Sequence, residues 1–180
     1  MRSTLICSGL TELRQRGLFD EYVGRLSPQT RGIIVTTVAG VWLQADVVLD
    51  HFRAVDSLGL SAEDAFEIGA GSGKRIQQSV LSTLVRLAAG AGANPWTVFQ
   101  NYGRLWKRIF DGGTFRTDRH GPKDAVIECA NLPPCQYASF RNAFRGANDA
   151  GLRLFSHALY VRELSGRATD EGMALRVSWV

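Results

Sequence analysis

The chain is short of several things that would announce a function. It has no apolar stretch approaching the roughly 20 residues that a membrane span needs. "MRSTLICSGL" offers a short apolar run broken by Thr4 and Ser8, with no cleavage site after it, so a cytoplasmic protein is expected. Lysine and arginine exceed acids by only +4 and are scattered singly, which leaves no basic tract for nucleic acid. Three cysteines, Cys7, Cys129 and Cys135, are too few and too odd a set for a disulfide scaffold in 180 residues. They read as buried thiols in a reducing compartment.

Chemistry-bearing patterns are scarce as well. The three histidines, His51, His120 and His157, are far apart and form no pair at metal-ligand spacing. Cys129 and Cys135 bracket "ANLPP", too wide for a zinc knuckle. No serine sits in a nucleophile elbow, and Cys7 has no recognisable activating neighbour. The adjacent acids Glu63–Asp64 and Asp170–Glu171 fit helix capping and a solvated turn. No catalytic residue, metal or cofactor is therefore expected.

What the chain does have is a core. Hydrophobic residues make up 45% and charged residues 21%, the balance of a folded protein of one domain, residues 1–180. "TLICSGL" reads as a short strand rich in β-formers, and Thr11 as the cap of a following helix. Ser27 and Pro28 start another helix, whose Ile34, Val38, Val41 and Trp42 share one face. The next repeats the pattern through Val48, Phe52, Val55 and Leu58 and stops at Gly59.

Ser61 followed by Asp64 marks a fourth start. Phe66, Gly69, Gly73, Ile76, Val80, Leu84 and Leu87 then predict one long helix bent at its glycines. Asn94 and Pro95 open a helix anchored by Trp96, Phe99, Leu105, Trp106 and Ile109. Beyond Gly113 the texture changes: a hairpin around "HGPKD", a helix from Tyr137 to about Leu159, and a last hairpin alternating through Leu175, Val177 and Trp179. A helical half, 10–110, precedes a hairpin–helix–hairpin half, 112–180. The fold class is α+β, with helices on one face of a twisted antiparallel sheet of about four to five strands.

"FEIGAGSGKRIQQ" resembles a phosphate loop only in composition. Five residues before Gly73 stands Ile68 where a Walker loop needs glycine, and Arg75 follows Lys74 where it needs Ser or Thr. The dinucleotide fingerprint lacks its last glycine, and a helical pattern precedes it instead of a strand. Gly69 and Gly73, four apart, are better read as letting a second backbone approach a helix. Aromatic faces are the remaining candidates: Trp96, Phe99, Trp106, Phe140 and Phe144 could line a pocket for an apolar ligand, with Lys74, Arg75 and Arg141 toward an anionic end.

The blocks "NPWTVFQNYGRLWKRIFDGG", "GPKDAVIECANLPP", "YASFRNAFRGANDAGLRLF" and "YVRELSGRATDEGMALRVSW" resemble, over Leu60 to Val180, 4-vinyl-reductase-like and TRAPP-like domains, and more closely a paralogous family of myxobacterial proteins. The resemblance implies a non-catalytic, regulatory ligand-binding or protein-interaction module, a homodimer that takes an apolar small molecule or a partner protein. It also sets Glu163 where phenol-sensing relatives bind zinc, but no cysteine follows in "ELSGRATDEG".

"YASFR" is similar to the Y-x-S-x-R signature that holds haem propionates in haem nitric-oxide/oxygen-binding domains, through Tyr137, Ser139 and Arg141. The nearest preceding histidine, His120, falls in a turn, not on a helix. A haem gas sensor and a purely structural dimeric subunit are thus the alternatives to the ligand-binding module.

Overall fold

The computed structural model describes residues 1–78 and 93–180. Among the described residues, seven α-helices, α1 (Ser3–Gln15), α2 (Phe19–Arg25), α3 (Pro28–Thr36), α4 (Ala45–Asp56), α5 (Ala62–Gln78), α6 (Pro95–Ile109) and α7 (Ala138–Leu152), accompany four strands, β1 (Thr114–Gly121), β2 (Asp124–Ala130), β3 (Leu159–Glu163) and β4 (Met173–Trp179). The strands form one antiparallel sheet in the order β1-β2-β4-β3. The fold is the expected α+β, with four strands among the described residues.

Caps decide where several helices begin. Ser27 accepts from the Thr30 amide at 3.3 Å ahead of Pro28. Ser61 does the same for Asp64 at 3.0 Å. Asn94 accepts from the Trp96 amide at 2.9 Å while Thr97 reaches back to the Asn94 amide. Gly59 adopts φ +67° after α4, the left-handed conformation in which glycine ends helices without strain.

Three expectations need correction. "TLICSGL" is not a strand: it lies in α1, because Ile6, Leu10 and Leu13, at i, i+4 and i+7, are all buried. Packing of that stripe overrides the β propensity of its residues. Thr11 is consequently inside α1, its hydroxyl donating to the Cys7 carbonyl at 3.0 Å. Helix α3 ends at Thr36, so Ile34 is buried in the core while Val38, Val41 and Trp42 lie beyond the helix and are exposed. The helix opened by Tyr137 ends at Leu152 in a 3-10 turn, Arg153–Phe155. The predicted run through Val80, Leu84 and Leu87 lies outside the described residues.

The sheet buries one face. Ala125, Ile127 and Cys129 of β2 pair with Val177, Leu175 and Met173 of β4, and all six are buried. Of the alternate positions, Val126 and Ala174 are buried as well, but the others carry charge or a hydroxyl: Arg116 pairs with Glu128 at 2.9 Å, and Arg176 with Asp124. This alternation fixes the register, because a slip of one residue would turn the apolar set to solvent. Over the buried face lie Trp106, Phe110, Phe140 and Phe144, with ring centroids 4.2 to 6.4 Å apart. Each such ring contributes roughly 1.5–3 kcal/mol on burial.

Candidate functional site

Helices α5 and α7 touch backbone to backbone. A Cβ placed on Gly69 would overlap the Ala143 carbonyl, and one on Gly146 would overlap the Phe66 carbonyl. One on Gly73 would come within 2.9 Å of the Ala147 carbonyl oxygen. The reading of Gly69 and Gly73 as a close-packing device is therefore correct, and "GAGSGK" forms part of a helix, not a phosphate loop. Gly146, on the partner helix, completes the contact.

Beside this seam, α1, α4, α5 and α7 line an apolar cavity of about 70 Å³. Leu5, Ile6 and Gly9 of α1, Val55 of α4, Ile68 of α5, and Phe140 and Phe144 of α7 supply much of its wall. The polar groups on it already have partners. Ser72 donates to the Ile68 carbonyl at 3.1 Å, and Ser139 to the Phe52 carbonyl at 3.4 Å. His51 Nδ1 lies 2.6 Å from the Tyr22 hydroxyl.

Burial pushes His51 down to about 3, so its imidazole is neutral at neutral pH. The same cause pushes the Tyr22 phenol up. Burial also works against the adjacent Asp50 carboxylate, but hydrogen bonds from Arg53, Ser27 and Thr30 outweigh it and hold Asp50 in its charged form. A second, larger hollow of about 460 Å³ lies at the far end of the sheet, beside Trp96, Lys123, His157 and Trp179.

The structure divides the predicted pocket residues. Phe140 and Phe144 reach the apolar cavity, and Trp96 reaches the larger hollow. Phe99 and Trp106 are core side chains, packed against Trp179 and Phe110 respectively. Lys74 is exposed, whereas Arg75 crosses to Glu12 of α1 at 2.6 Å. The cations do not converge with the aromatic rings on one site.

"YASFR" straddles the start of α7. Arg141 donates to the Cys135 carbonyl at 2.7 Å and pairs with Glu163 of β3 at 3.0 Å. The Ala138 and Ser139 amides donate to Asp56 at 3.2 and 2.7 Å. Glu163 thus answers an arginine, and among the described residues no cluster of His, Cys, Asp and Glu could hold a metal ion. His120 is exposed on β1 and His157 is exposed after α7.

Sequence reasoning passed over Tyr22, Gly9 and the inward position of His51. A signal for His51 existed, since Val47, Val48, Phe52 and Val55 surround it on the apolar face of α4.

No protein-family model and no curated protein matches the chain. Solved structures do. An Fe(II) unliganded H-NOX protein from K. algicida superposes with a TM-score of 0.70 at 8% identity, over 100% of this chain and 97% of that one. The chain shares the H-NOX fold. A structure from work on the mechanism of H-NOX activation gives 0.61 at 16% identity over 99% and 96% of the two chains. One from work on haem redox potential under porphyrin distortion gives 0.62 at 17% over 99% and 95%.

These likenesses overturn the resemblance to 4-vinyl-reductase-like and TRAPP-like domains. Both readings put helices on an antiparallel sheet, and the scattered positions that suggested the first could not separate it from the H-NOX arrangement. No described helix is long and apolar enough to cross a membrane.

Proposed function

We propose that this chain is a sensor domain on the H-NOX fold that takes a small apolar ligand in the cavity between α1, α4, α5 and α7. One observation carries the reading: an apolar space between helices, with its hydroxyls and the imidazole Nδ1 satisfied by the protein. Apolar cavities of this kind stay dry and bind apolar guests, and about 150 Å³ suffices for benzene or xenon. At about 70 Å³ the space suits a dissolved gas or a molecule of a few heavy atoms. Gly69, Ala143 and Ala147 belong both to the wall and to the α5–α7 seam, so a guest that enlarges the cavity biases the approach of the two helices.

A haem-bound sensor is the second reading, favoured by the likeness to haem-associated H-NOX structures over the whole chain. The residues as arranged do not fit a haem. Sites for ligands of drug size run to about 300–1,000 Å³, well above the cavity here. The α5–α7 seam is closed at Gly69 and Gly146, and Arg141 and Ser139 are already engaged. The only histidine on the cavity wall, His51, bonds Tyr22 through Nδ1, which leaves Nε2 as the one imidazole nitrogen there that could meet a haem iron.

Two measurements separate the readings. Under xenon pressure, methyl resonances of Ile6, Val55 and Ile68 should shift saturably, and Gly9→Val, which fills the cavity, should abolish the response. Unshifted methyls would sink the small-ligand reading. Haemin titration is expected to leave no sharp Soret band, and a stoichiometric band lost in His51→Ala would establish the haem reading instead.

A further inference from the structure

The larger hollow, beyond the C-terminal end of α7, has a different chemistry. Its aromatic wall is Trp96, Phe155 and Trp179, with the two indoles meeting edge to face at 5.1 Å. Trp96 is fixed in place, since its Nε1 donates to the Pro122 carbonyl at 2.7 Å and the Arg119 guanidinium lies over its ring, 4.9 Å from the centroid. Around the rim stand Lys123, Arg153 and His157.

The charged side chains that line it are all basic. No acidic side chain lines the hollow among the described residues, and residues 79–92 contain no Asp or Glu. Arg153 is oriented by Asp149 at 2.9 Å and by the Leu159 carbonyl at 3.2 Å. Lys123 has no ion-pair partner among the described residues, while nine arginines there have one. An exposed ammonium beside an aromatic wall, in a hollow of about 460 Å³, matches the size and make-up of a small-molecule site.

We propose that this hollow binds a small planar aromatic anion, its ring against Trp96 and Trp179 and its carboxylate or phosphate at Lys123 and His157. Flat rings gain from edge and face contacts with indoles, and the ammonium supplies a charge-assisted hydrogen bond. The site is separate from the apolar cavity, and neither proposal depends on the other.

The test is titration of the whole chain with 1-naphthoate, 1-naphthamide, adenosine monophosphate and inorganic phosphate, followed by calorimetry and tryptophan fluorescence. Naphthoate or the nucleotide should bind saturably and quench fluorescence, with whichever binds tighter naming the source of the anion. Lys123→Ala should weaken that binding about tenfold, the size of one charge contact. The backbone bond from the Trp179 amide to the Lys123 carbonyl is untouched by that change. Trp96→Phe should remove most of the quench. Naphthamide binding as tightly as naphthoate, phosphate alone matching the aromatic probes, indifference to Lys123→Ala, or no saturable signal would each overturn the proposal.

Discussion

The Tyr22 hydroxyl and His51 Nδ1 lie 2.6 Å apart inside the helical layer, joining α2 to α4 with both side chains buried. Neither group is free to ionise near neutrality. Burial lowers the histidine to about 3 from an ordinary 6.5, so between those values the unfolded chain binds a proton that the folded one refuses. Stability is fully present above about pH 6.5 and falls with acidification by roughly 1.4 kcal/mol per pH unit until the folded value is reached. Urea unfolding at pH 7, 6 and 5 should show this slope, and His51→Gln should flatten it. Equal slopes in both proteins would place the acid sensitivity elsewhere.

Glycine-to-alanine changes on the helices should differ in sign. Gly69→Ala sets a methyl group into the Ala143 backbone, which cannot step aside, and is expected to cost about 2 kcal/mol or more after the helix-propensity gain. Gly103→Ala on α6 meets nothing within 4 Å and should stabilise by up to about 1 kcal/mol. Midpoints of thermal unfolding check both. A stable Gly69→Ala protein would mean that the α5 and α7 backbones do not meet at this glycine.

Helix α7 takes its cap from α4. Both oxygens of Asp56 accept from the first amides of α7, and no side chain of α7 itself caps that end. Asp56→Ala should therefore cost about 1–2 kcal/mol, and Asp56→Asn less. If the two variants match wild type in urea midpoint, the contact contributes nothing.

The thiols should be quiet. Burial pushes Cys7, Cys129 and Cys135 upward, Cys135 to about 12, so all three are protonated near neutrality. In the native protein only half-buried Cys7 should react with a disulfide reagent at pH 8, and slowly, while all three react once the chain is unfolded. Fast native labelling of two or more thiols would contradict this burial.

The sequence made most of the helices legible because their caps are local: Ser27, Ser61 and Asn94 each act on an amide two or three residues ahead. The terminal hairpins were legible for a similar reason, since period-two alternation is a property of one strand. The first helix was misread because the β-forming residues of "TLICSGL" pull one way and the stripe of Ile6, Leu10 and Leu13 the other, and only tertiary packing decides between them. The glycine seam was half visible: Gly69 and Gly73 stand out, but Gly146 has meaning only once α7 lies against α5. The apolar cavity was not visible at all, because the residues that line it run from Leu5 to Ala147 and no spacing rule spans that interval. Arg141 and Ser139 looked like ligand-holding groups and turned out to hold the protein to itself.

The Asp56 bond to α7 has a consequence for how this molecule could be recombined. A chimera that exchanged everything after residue 130 with a homologue would bring in a helix whose first turn was fitted to another protein's acid, at a position more than eighty residues upstream. Such a hybrid should forfeit up to the roughly 1–2 kcal/mol of that cap unless the acid and the helix it caps travel together.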